Sequence, residues 1–155
     1  MDRNEQYQAL SERPDIEEAQ TRYEGLLSTI REQLVAEFGI AEWKPPASPV
    51  RGSACGPDFT DIAADGEIRR LSSGTSPGNL PDERWTAAVT LVAENARGLG
   101  FGDPEVVVDR KQDHEVSLKD SYGAELLFGT AANTTLSIST GCHLTKAAKE
   151  RGAPA

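Results

Sequence analysis

The chain has 155 residues, of which 37% are hydrophobic, so it is long enough to close one core and too short for two comfortable ones. Its 25 acidic side chains against 16 basic ones give a net charge of −9, a field that repels polyanions; the short basic pairs Arg69-Arg70 and Arg110-Lys111 do not amount to a nucleic-acid surface. No apolar run approaches the roughly 18 residues of a membrane span, and no charged, apolar and small-residue sequence of a signal peptide opens the chain.

Residues 1–14 are polar and without a clear period, which reads as a tether or disordered lead-in, and Met1-Asp2-Arg3-Asn4 reads as the cut edge of a mature domain. Pro14-Asp15 then opens a helix. Ile16, Ala19, Tyr23, Leu26, Leu27, Ile30, Leu34 and Phe38 recur at three and four residues, Asp15, Glu17 and Glu18 suit its positive end, and Gly39 stops it. A short strand is expected over Ala41–Lys44, carrying Trp43 and ended by Pro45-Pro46. From there to Asp65 the chain reads as a long irregular loop around Cys55, a length that needs a restraint.

Gly66–Ser73 reads as a strand and Ser73–Asn79 as a flexible connection. A second helix runs from Pro81 to about Gly98 with Trp85, Ala88, Val89, Val92, Ala96 and Leu99 on one side. Glu105–Arg110 is a strand, Gln112-Asp113 a turn, and Val116–Leu144 a meander of three strands. In the last of these Leu136, Ile138, Cys142 and Leu144 share one parity, which points inward, while Ser137, Ser139, Gly141 and His143 share the other and point to water. Residues 145–155 read as a polar tail, leaving 15–144 as a single domain. Without alternating βα units, the expected class is α+β: a two-layer sandwich, an antiparallel sheet with two helices packed on one face.

Cys55 and Cys142 have two readings. As a disulfide they close a loop of 142 − 55 = 87 residues, worth roughly 4–5 kcal/mol by chain entropy, and tie down the long loop; in a reducing compartment Cys142 is a small core residue. Cys142 and His143 do not read as nucleophile and base, because neighbouring strand residues face opposite ways. Two cysteines and two histidines lack zinc spacing, and Asp58, Asp61 and Asp65 lack calcium-loop spacing, so no metal or other cofactor is expected. Gly98, Gly100 and Gly102 follow a helix instead of preceding one, unlike a phosphate cradle, and Gly52–Gly56 is not a nucleophile elbow. The sheet face away from the helices is the candidate binding surface: Ser117, Lys119, Glu125, Leu127, Ser137, Ser139 and His143, with Val107 alongside, against the plain alternative of a solvated face.

The stretches R-Y-E, W-K, G-S-A-C, P-D-E-R-W-T-A-A and Y-G-A-E-L-L-F…L-S-I-S-T-G-C-H-L together resemble the LppA-like lipoproteins of mycobacteria and related actinobacteria, over roughly Tyr23–Leu144. The resemblance implies an extracytoplasmic domain held to the outer side of the cell membrane by a lipidated cysteine ahead of it, with residues 1–14 as the tether. It also implies that Cys55 and Cys142 match the family's internal cysteine pair. It supplies no catalytic residues. The expected function is non-enzymatic binding of an envelope partner or a small ligand. The alternatives are a hydrolase or transferase using Asp58, Asp61 and His114, which requires those three to converge, and a structural or assembly role in the envelope.

Overall fold

Helix α2 (Ile16–Phe38) organises the fold. Its N-cap, Asp15, accepts from the Glu18 N–H at 2.9 Å, and Gly39 ends it in the left-handed conformation at φ 64°. The seven apolar residues from Ile16 to Leu34 that set its period are all buried. In the computed structural model, which describes residues 1–155, α2 is preceded by α1 (Arg3–Ser11) and followed by β1 (Val50–Ser53), a 3-10 segment (Pro57–Asp65) and β2 (Gly66–Pro77). Then come α3 (Asp82–Arg97), β3 (Glu105–Arg110), β4 (Asp113–Lys119), β5 (Glu125–Thr130), β6 (Asn133–Ser139), β7 (His143–Leu144) and α4 (Lys146–Arg151).

The strands form an antiparallel, unclosed sheet in the order β1-β2-β6-β5-β4-β3, with β7 paired to the start of β2. The α+β class expected from the sequence is the one observed. Register places the apolar residues in rows beneath α2 and α3. Leu71, Ile138, Leu126 and Leu118 stand opposite one another across four strands, as do Leu136, Phe128 and Val116 across three. These join the buried faces of both helices in one core cluster. Trp85 of α3 stacks on Phe128 at 4.9 Å between centroids.

Several expectations are corrected. Residues 1–14 are not a disordered lead-in. Asp2 and Glu5 form a capping box that starts α1, and Tyr7 and Leu10 are buried in a second cluster with Ile62, Cys142, Leu144 and Ala148. The tail is not merely polar, since α4 is capped by Thr145, buries Ala148, and receives the Tyr7 hydroxyl on the Ala148 carbonyl at 2.7 Å. The long loop contains β1 and the 3-10 segment. Residues 41–44 make a single bridge, Lys44 to Thr75, in place of a strand, and Ser73–Pro77 continues β2 past a bulge between Ser72 and Thr75. The final strand is interrupted after Ser139, because the Thr140 N–H turns to the Arg69 carbonyl before β7 resumes.

Candidate functional site

Six of the seven residues proposed for the outer sheet face share one continuous patch. Ser117, Leu127, Ser137 and Ser72 stand opposite one another in one row, and Lys119, Glu125, Ser139, Arg70 and Arg51 in the next. Ser117 and Ser137 are buried among their longer neighbours, and the Ser117 hydroxyl donates to Glu125 at 2.7 Å. Val107 lies apart on the edge strand β3, 53% exposed.

The seventh residue is a correction. His143 is fully buried instead of facing water. The α1–α2 junction folds over it: its Nδ1 donates to the Pro14 carbonyl at 2.8 Å and its ring meets Tyr122 edge-on. Desolvation holds its pKa below the usual imidazole value.

Cys55 and Cys142 are joined in a disulfide with Cα atoms 5.4 Å apart. It lies in the second core cluster, so it ties the 43–57 segment to the short β7 end of the sheet instead of to the main core. Gly66 packs against it closely; a Cβ there would stand 3.0 and 3.1 Å from the two sulfurs and 2.2 Å from Ile62.

Asp58, Asp61 and His114 do not converge. His114 pairs with Thr130, Thr130 with Thr134, and Thr134 with Ser76 at the far end of β2. The 3-10 segment ends at Asp65, just before β2 begins at Gly66. The intervening 76 − 66 = 10 residues span about 30 Å of strand. His114 is instead a joint: its ring stacks on Trp85 at 5.2 Å and its nitrogens meet Asp82 at 2.7 Å and Asp109 at 3.0 Å. That bond to His114 lowers the pKa of Asp82.

The concave feature that sequence reasoning missed is a cleft of about 540 Å³ between α2 and the sheet edge, lined by Leu27, Arg31, Trp43, Pro49, Leu71 and Ser73 among others. Its roof is held by backbone. Lys44 and Thr75 exchange N–H···O bonds of 2.7 and 3.1 Å, and the Ser76 hydroxyl donates to the Ala41 carbonyl at 2.7 Å. Gly74, at φ 74°, permits this approach, since a Cβ there would lie 1.9 Å from the Lys44 carbonyl oxygen. Arg31 donates to the Ser73 hydroxyl at 2.9 Å, which leaves most of its five N–H donors available. The Trp43 indole N–H is buried without an acceptor. A buried donor without an acceptor costs free energy. The available signal was a lone tryptophan set before P-P-A-S-P, an irregular segment with no core of its own to bury it.

An unclosed antiparallel sheet with α2 and α3 on one face is a fold shared with lipoprotein domains of the LppA type. The crystal structure of LppA from Mycobacterium tuberculosis superposes with a TM-score of 0.63 at 16% identity, covering 93% of this chain and 86% of that one. The crystal structure of a DUF4853 family protein from Actinomyces odontolyticus superposes with a TM-score of 0.60 at 21% identity, covering 87% and 72%. At these identities the likeness concerns the fold. The LppA family model, described as a lipoprotein confined to pathogenic Mycobacterium, matches residues 2–146, and the chain belongs to that family. No curated protein matches.

Proposed function

We propose that this domain is carried on the outer side of the cell membrane by an N-terminal lipid anchor and acts by non-catalytic binding of a small amphipathic ligand in the cleft beneath Trp43. The unpartnered Trp43 N–H carries the reading. Beside it Arg31 offers further donors, while Val50, the Trp43 ring and the prolines offer apolar surface, a combination that suits an apolar body with an acceptor-bearing head. Membership in a lipoprotein family supports the anchor, and the disulfide suits an oxidising compartment. A diacylated cysteine would supply the two chains that stable anchoring takes. A second reading, docking of an envelope protein on Ser117, Lys119, Leu127, Ser137 and Ser139, draws on the absence of any helix over those rows.

Incubation with a solvent extract of cell envelope, re-isolation and native mass spectrometry test the reading. The wild-type protein is expected to retain a small-molecule mass that W43A and R31A lose. Equal retention by the variants, or retention of protein alone, contradicts it.

A further inference from the structure

We propose that Arg51 and Arg70 form a binding site for an oxyanion of the phosphate class on the outer face of the β1–β2 pair. The two residues stand directly opposite in the antiparallel register, on exposed positions. Facing side chains at such a pair have Cβ atoms about 5 Å apart, and like charges there repel and destabilise the sheet. In a chain with 25 acidic residues, neither guanidinium reaches a carboxylate.

The neighbouring arginine shows the contrast. Arg69 turns to the helix side, where it is held by Glu67 at 2.8 Å, Gln20 at 2.6 Å and Glu17 at 2.9 Å. The chain thus neutralises the inward arginine twice over and leaves the outward pair bare.

The space between them is shaped for a small polar group. A hollow of about 200 Å³ is lined by Pro46, Ser48, Arg51, Arg70 and Ser72, with the Pro46 ring as its one apolar wall. The Ser72 hydroxyl oxygen accepts from the Gly74 N–H at 3.1 Å, which leaves its proton free to donate. Two planar forks and hydroxyl donors around one hollow match the several acceptor oxygens of a phosphate group, which arginine grips in bidentate fashion. With the net charge at −9, the attraction is local and salt-sensitive. The hollow adjoins the cleft beneath Trp43 at Ser72, which lines both, but Arg51 and Arg70 take no part in the cleft, so either assignment can fail alone.

The test uses inorganic phosphate in one arm and vesicles of phosphatidylglycerol or phosphatidylcholine in the other, at low salt. Phosphate is expected to raise the Tm of the wild type and leave that of R51Q/R70Q unmoved. If the phosphate belongs to a lipid headgroup, phosphatidylglycerol vesicles bind the wild type roughly tenfold better than the double variant, as loss of charge-assisted bonds implies, and phosphatidylcholine vesicles show no such difference. Lys119→Gln, on the same face, should retain binding in either arm. Without phosphate, R51Q/R70Q should unfold at no lower temperature than the wild type, because a repulsive pair has been removed. Absence of binding in both arms, equal binding by the double variant, or a lower Tm for it without ligand overturns the proposal.

Discussion

His143 and Pro14 are joined by a 2.8 Å hydrogen bond across 129 residues of chain. A carbonyl only accepts, so Nδ1 carries the proton, and the neutral ring presents a bare Nε2, which is buried without a partner. Beside it, Arg13 donates to the carbonyls of Tyr122 and Cys142 at 3.0 and 2.8 Å. The start of α2 is thereby fixed to the disulfide end of the sheet.

Protonating His143 would bury a charge next to Arg13. Desolvation, reinforced by Arg13, holds its folded pKa below the ordinary value, against the bond to Pro14, which raises it. Between the depressed folded value and about 6.5, the unfolded chain binds a proton that the native chain does not. This group's contribution is therefore present above about pH 6.5 and is lost as pH falls through that window. Denaturant unfolding at about pH 8 and pH 5 should show a larger acid loss for the wild type than for H143Q, whose amide keeps a donor for Pro14. Parallel losses would contradict the burial.

The disulfide closes a separation of 87 residues. Its removal by C55S/C142S should cost between about 2 and 5 kcal/mol in urea, since the released loop regains its entropy in the unfolded state. The loss should appear first as hydrogen exchange in α1, the 3-10 segment and α4, which share the cluster around it. Two free thiols on the oxidised, purified chain would remove this element of the account.

Phe128 is fully buried, in one row with Val116 and Leu136 and stacked on Trp85. Phe128→Ala should destabilise the domain by about 3–5 kcal/mol, the sum of lost transfer energy and the cavity left behind. Truncation of exposed Val107 should change stability by less than about 0.5 kcal/mol.

Much of this fold was legible where periodicity and burial agree. The stripe on α2, the helix at Asp82–Arg97 and strands β4 to β6 each bury the face that their spacing marks, whereas β3 stays exposed at the sheet edge. Residues 1–14 were misread because α1 buries only Gln6, Tyr7 and Leu10, too few positions to announce an amphipathic helix. Its stability comes from partners that no local window contains, Ala148 and Ile62 among them. His143 follows the outward parity of Ser137 and Ser139 only until the chain breaks at Thr140, after which Pro14 and Tyr122 enclose it. β1 is exposed at all four residues, so no alternation marks it. The cleft depends on Gly74 and the bridge to Lys44, a contact across some thirty residues of sequence.

Gly74→Ala tests how that cleft is built. The added Cβ meets the Lys44 carbonyl at 1.9 Å, at a positive φ that disfavours any side chain. The expected outcome is a loss of more than about 1 kcal/mol and detachment of the Trp43 segment, read as a red shift and greater quenching of its fluorescence in a Trp85→Phe background. Unchanged Trp43 emission would show that the roof is held otherwise.

The most direct measurement of ligand binding beneath Trp43 follows the two indole N–H resonances during titration with a solvent extract of cell envelope. The Trp43 side chain lines the cleft and its Nε1–H is buried without a partner, whereas Trp85 stacks on His114 and on Phe128. The Trp43 signal should move downfield as it gains an acceptor, with the Arg31 side chain moving alongside and Trp85 unmoved. A titration that shifts the outer sheet residues Ser117, Leu127 and Ser139 while leaving Trp43 in place would contradict the assignment of the cleft.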